Sequence, residues 1–204
     1  MIELKLFLCM LFFSVIGYYS YQFIRVLLKM NQNVVFPVTD EELQTLRKYP
    51  EKAVGLPTFS KQKGGIILYS FVLVFVLVMF ILGLFIKGFD WSFFLLVFLP
   101  FTHSDNLLNM FAVVEGGLLS GNRFIPWGKI KSFQFVPITM DHRFYGFDKE
   151  VNAGYELVIK TSFFSTSCVV TSEEMKEKLT MVLSKHVLMN KEKDEAHVHI
   201  EESH

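Results

Sequence analysis

Residues 66–86 read IILYSFVLVFVLVMFILGLFI, without one Asp, Glu, Lys, Arg or His. A helix that is apolar all round has two stable surroundings, the centre of a large protein or a lipid bilayer. About 20 apolar residues cover the ~30 Å hydrocarbon layer, and this run has that length. Gly64 and Gly65 precede it, and Lys87, Gly88, Phe89 and Asp90 form a tight polar turn after it.

Two weaker apolar stretches flank it. Residues 6–26, LFLCMLFFSVIGYYSYQFIRV, also have the length of a span. Tyr18, Tyr19 and Tyr21 near its end suit the headgroup region, and Arg25 and Lys29 close it. A cleaved secretory signal is the competing reading. Against it, Lys5 is the only basic residue before the run, and no small-x-small cleavage site follows. The third stretch, residues 91–110, is apolar up to Phe101 and contains Pro100, followed by Thr102, His103, Ser104, Asp105 and Asn106. It reads as a third crossing; the alternative is a segment that re-enters and leaves by one face. Ionisable groups inside a membrane are costly and therefore functional candidates, which singles out His103 and Asp105, with Asn106 beside them. At the interfacial end of a helix the same residues simply meet water.

Basic residues near span ends set orientation. Arg25, Lys29, Arg47, Lys48, Lys52, Lys61 and Lys63 lie between the first two spans, against Lys5 before them and Lys87 after. The expected protein is multi-pass in the cell membrane, with its N-terminus outside and both the long loop and the C-terminal domain cytoplasmic. Its parts are a first span at 1–29, a loop at 30–65, a hairpin of spans at 66–110, an α+β domain at 111–190 and a disordered tail at 191–204.

In the loop, Thr39 followed by Glu42 forms a capping box, predicting a helix from there to about Tyr49, before Pro50. Leu43 and Leu46 give it a small apolar edge, for docking on the C-terminal domain or a partner, or for nothing beyond a solvated connector.

From about residue 109 the periodicity becomes that of strands. Residues 111–115, 118–119 and 123–126 are short strands around Gly116, Gly117 and the hairpin signal Ser120, Gly121, Asn122. Phe133 and Phe135 share one face of the next strand. Tyr155, Leu157 and Ile159 do so later, opposite Glu156 and Lys160, and residues 166–170 supply another strand. Thr171 with Glu174 reads as a second capping box. Met175, Leu179, Val182, Leu183 and His186 then recur at helical spacing. The fold class is therefore a membrane α-helical N-terminal half with an α+β domain, a short antiparallel sheet closed by a C-terminal helix.

The stretch VVEGGLLSGNRFIPWGKIKSFQF, residues 113–135, resembles bacterial pleckstrin-homology-like domains appended to small membrane proteins of Gram-positive type. The matching positions are Gly117, Trp127 and Ile130, and the preceding hydrophobic hairpin and closing helix match as well. The resemblance covers residues 66–190 and implies a PH-like cytoplasmic domain. Its matched residues are structural, and no catalytic residue carries over.

Chemistry is sparse. The 20 acidic and 20 basic side chains leave no excess to neutralise nucleic-acid phosphates. Cys9 and Cys168 look like small buried hydrophobes, without disulfide or metal spacing. Asp141, His142 and Arg143 suggest acid–base work but lack a paired nucleophile, so they read as a solvated loop. His197, His199 and His204 sit in a charged tail. Arg123, Lys129 and Lys131 are candidates to meet the membrane surface, without forming a specific lipid pocket. The expected role is a non-enzymatic scaffold or regulatory subunit without cofactor or metal, having membrane lipid and a protein partner or a second copy as partners. Alternatives are an envelope-stress or antimicrobial-peptide immunity protein, and an oligomeric transporter component lined by His103 and Asp105.

Overall fold

The structure, a computed structural model, describes residues 2–30, 32–85 and 107–201. In chain order its elements are helix α1 (Ile2–Met30), strand β1 (Val34–Phe36), helix α2 (Asp40–Gln44), strand β2 (Leu46–Arg47) and helix α3 (Phe59–Phe85). Strands β3 (Phe111–Val114), β4 (Gly117–Ser120) and β5 (Arg123–Pro126) follow, then a 3-10 turn (Trp127–Lys129) and β6 (Ile130–Pro137). Helix α4 (Lys149–Asn152), strands β7 (Tyr155–Thr161) and β8 (Ser165–Val170) and helix α5 (Glu173–Glu201) complete it.

Among the described residues two helices are long and apolar enough to cross a membrane, within Cys9–Met30 and Phe59–Phe85. Only 22% and 17% of their most apolar windows are buried, whereas a core helix of a soluble protein is mostly covered. The buried residues of α1, among them Phe12, Ile16, Phe23, Val26 and Met30, fall on one face. Those of α3, Gln62, Tyr69, Val76, Phe80 and Gly83, do the same. The two stripes meet in stacked rings, Phe12 on Phe80 at 3.5 Å and Phe23 on Tyr69 at 4.3 Å. Residues 86–106, with His103, Asp105, Asn106 and most of the third apolar stretch, lie outside the described residues.

The rest is an α+β body of two four-stranded antiparallel sheets, ordered β1-β3-β4-β5 and β2-β8-β7-β6. Each sheet takes an edge strand from the segment between α1 and α3, which the sequence presents as a loop. Val34 pairs with Val114, while Leu46 and Arg47 pair with Val170 and Val169. The capping box forms as expected, with the Thr39 hydroxyl accepting from Glu42 N and the Glu42 carboxylate accepting from Thr39 N. The helix it starts ends at Gln44 rather than near Tyr49, because Leu46 is fully buried as part of β2. Thr171 is likewise not a helix cap. Its N–H and hydroxyl both donate to the Thr45 carbonyl, at 2.9 and 3.3 Å, and α5 begins two residues later. The Asp/Glu/Lys/Ala-rich segment after Asn190 favours helix locally, and α5 continues to Glu201 where charge density suggested disorder.

Two apolar cores organise this body. One lies between the sheets and α5 and includes Phe111, Leu118, Ile130, Leu157, Leu179 and Leu183. Cys168 belongs to it, its thiol pushed up to about 12 by burial. The other lies on the outer face of the first sheet, where Ala112, Val114, Leu119 and Phe124 pack against Phe23, Val26, Met30 and Tyr69 of the two long helices. Leu108 and Met110, counted to the third apolar stretch by sequence, are fully buried in that junction.

Two glycines are required by close approach. A Cβ on Gly65, which sits inside α3 rather than before it, would lie 2.2 Å from the Leu107 carbonyl oxygen. One on Gly117 would lie 2.2 Å from the Ile125 oxygen across the β4–β5 ladder. The other two signature residues are also structural. Ile130 is buried in the first core, and Trp127 stacks on His186 at 4.0 Å while its indole N–H donates to the Glu115 carbonyl at 3.0 Å.

Candidate functional site: two clefts that share Arg123

The β4–β5 hairpin turns at Gly121 (φ +58°), a conformation that glycine adopts without strain, and carries Asn122 and Arg123 at its tip. Beside it lie the end of β2, the start of β8 and the segment 138–148, which folds over the outer face of the second sheet on an apolar contact of Phe144 with Ile138, Val151 and Val169. A cavity of about 480 Å³ opens between these elements. Its lining is dominated by donors: Lys48, Arg123 and Arg143, the hydroxyls of Ser120, Ser165, Thr166 and Ser167, and Asn122. Ser120 and Asn122 are themselves buried. The Lys48 ammonium donates to Ser120 Oγ and Thr166 Oγ1, both at 2.9 Å, and to the Ser167 carbonyl at 3.2 Å.

The one carboxylate in the lining, Glu156, is saturated by its neighbours. His142 Nε2 lies 3.0 Å from one oxygen and the Arg143 guanidinium donates to the other, while Arg143 also reaches Ser167 Oγ at 3.2 Å. His142 Nδ1 accepts from Phe144 N at 3.2 Å, so the proton of the neutral ring sits on Nε2 and points at Glu156. Burial on its own raises the Glu156 pKa. Hydrogen bonds from Ser167, Arg143 and His142 and the charge of Arg143 outweigh it and hold the carboxyl below its ordinary 4.5. Ser, His and Glu thus meet, but in an order that does not activate a hydroxyl. The carboxylate sits in the middle, and the imidazole has no lone pair free to take a proton from Ser167.

A second cleft, of about 350 Å³, runs between α1 and the domain. Tyr18, Gln22 and Arg25 of α1 face Arg123, Phe124, Lys129 and residues 161–164 across it. Among the described residues it is lined by three cations and no acidic side chain. Arg25 lies over the rings of Tyr21 and Phe124, at 5.5 and 5.2 Å, and Arg123 over Phe164 at 4.9 Å. Phe163, at the tip of the β7–β8 hairpin, is 93% exposed.

Of the three basic residues singled out by sequence, the structure brings Arg123 and Lys129 to this cleft. Lys131 stands on an exposed position of β6 and lines neither cavity. Sequence reasoning missed Arg25, Lys48, Asn122 and Glu156 as lining residues. It read Arg25 as the close of the first span, Lys48 as a charge in the loop helix, Asn122 as a turn residue and Glu156 as the polar side of a strand. No group of three metal-ligating side chains lies together among the described residues. Set against known protein families, curated proteins and solved structures, the chain finds no match.

Proposed function

We propose that the chain is a non-enzymatic, membrane-anchored adaptor or regulatory subunit whose PH-like domain binds a protein partner. One observation carries this reading: the second core, in which Phe23, Val26, Met30 and Tyr69 of the long helices share their packing with Ala112, Val114, Leu119 and Phe124 of the first sheet. Domain and long helices are packed together there, so a partner docked on the domain is held close to the bilayer. A catalytic domain on a flexible tether has no need of such a junction.

Other features support the reading. Two antiparallel sheets meeting near Trp127, with α5 packed on their shared core, support a PH-like reading of the domain. The bilayer boundary falls at Tyr18, Tyr19 and Tyr21, where amphipathic rings favour the headgroup level. The acid-free cleft of Arg25, Arg123 and Lys129, next to exposed Phe163, suits anionic headgroups there. Strand pairing puts residues 34–47 and 107–201 in one body, hence on one side of the membrane. The basic residues of residues 30–65 argue that this side is the cytoplasm. Met140, Tyr145 and Phe147 are exposed on the segment covering the second sheet and offer apolar anchors to a partner.

The test is crosslinking in native membranes, mild-detergent purification and mass spectrometry of the wild type and of Met140→Lys and Phe147→Lys. A stoichiometric partner lost in both variants, with unchanged thermal unfolding, supports the reading. Turnover of a substrate by the purified chain without a partner overturns it, as does co-purification that neither substitution alters.

A further inference from the structure

The geometry points to the cavity bounded by Lys48, Asn122, Arg143, Glu156 and Ser165 as a binding site for a phosphate monoester. Among the described lining residues Lys48, Arg123 and Arg143 are cationic and Glu156 is acidic. A phosphate monoester carries about −1.5 to −2 near pH 7, with three strong acceptor oxygens, and suits a lining rich in cations, hydroxyls and an amide.

Its donors are in place. The Asn122 side chain, only 4% exposed, has no hydrogen-bond partner among the described residues and lines the cavity. The Ser165 hydroxyl is in the same position at the exposed rim. Arg143 gives one of its two terminal nitrogens, Nη2, to Glu156 and Ser167, while Nε and Nη1 make no bond among the described residues. Its guanidinium is fixed in plane by Glu156 and by Phe144, whose ring centroid lies 4.5 Å away. The free Nε–H and Nη1–H groups lie on separate edges of the guanidinium, so each donates singly to an oxyanion oxygen beside a held positive charge. Glu156 orients this guanidinium, and its own oxygens are already taken by His142 and Arg143, so the repulsion it offers an anion is screened by its partners. About 480 Å³ exceeds what a bare phosphate fills and falls in the range of small-molecule sites, leaving room for the organic part of an ester.

The phosphate can come from a soluble ester or from a lipid headgroup, because Arg123 lines both this cavity and the cleft against α1. The experiment uses the full chain in phosphatidylcholine nanodiscs, titrated calorimetrically with glycerol phosphate and with inorganic phosphate. Saturable binding is expected, weakened about tenfold or more by Asn122→Asp and by Ser165→Glu, each of which sets a negative charge in the site. Ser165 is exposed, so its variant keeps the test valid if Asn122→Asp disturbs folding; thermal unfolding without ligand reports that. Repeating the titration in nanodiscs containing phosphatidic acid separates the sources. Loss of the soluble ligand's heat assigns the site to lipid, an unchanged titration assigns it to a soluble ester, and both support the site. No saturable binding of either probe, with no difference between the two nanodiscs, overturns the proposal. Binding that survives in a folded Ser165→Glu variant overturns it too.

Discussion

The two sheets share one core but differ in what covers their other face. In the first, every residue of β3 and β4 is buried, since the inner face meets the common core and the outer face meets α1 and α3. In the second, β6 is largely exposed on its outer positions, and β7 is covered there by a polar segment held through Glu156, His142 and Arg143. Continuous burial is expected of strands sandwiched between layers, alternation of strands with one wet face. The first sheet is therefore built as an attachment to the two long apolar helices, and the second as a surface with electrostatic fittings.

The largest effect is expected where the attachment is tightest. Gly65→Val sets a side chain against the Leu107 backbone and costs at least about 3 kcal/mol, read as a lowered thermal midpoint. Its counterpart in the second sheet is a contrast of two truncations. Leu119→Ala opens a cavity under the helices and costs about 3 kcal/mol. Val158→Ala, on the wall of the polar cavity, costs less than about 1 kcal/mol. Equal losses at the two positions would erase the distinction between the faces.

Glu156→Gln sharpens the comparison through pH. Removing a carboxylate bonded to His142 and Arg143 costs about 2 kcal/mol at neutral pH. The folded pKa of Glu156 lies below the ordinary 4.5, so the wild type has the full contribution above that value and loses it as acidification passes through the lowered pKa. The variant's stability should converge on the wild type's there. His186 acts on both proteins alike at higher pH: burial, then the charge of Lys185, lowers its pKa from 6.5, so its contribution is present above 6.5 and falls as pH drops below. Denaturant midpoints from pH 7.5 to 3.5 separate the two. A gap between variant and wild type that stays constant down to pH 3.5 would contradict the Glu156 assignment.

Legibility in the sequence follows the same division. Strands between residues 111 and 170 were legible because turn residues and local alternation mark them, and the stripe Met175, Leu179, Leu183 because it repeats at helical spacing. The two long apolar helices were legible from length and apolarity. Strands β1 and β2 were not, having three and two residues and finding partners only far along the chain. Gly65 read only as preceding the apolar run, since nothing local announces that the Leu107 backbone passes against it. At the clefts, Arg123 and Lys129 stood out as charges. Asn122 read as a turn residue and Glu156 as the wet side of a strand, because the segment that covers them is brought there by tertiary packing alone.

The central claim is that the segment between α1 and α3 folds into the C-terminal body. Glu42 of α2 and Lys178 of α5 test it directly, with Lys178 Nζ 3.3 Å from a Glu42 oxygen across the junction. Zero-length carbodiimide crosslinking of the unmodified chain in its membranes, read by mass spectrometry, should yield a Glu42–Lys178 isopeptide. The Glu174–Lys178 pair, 2.9 Å apart within one helix, serves as internal control. A control crosslink without the Glu42–Lys178 product would contradict the account.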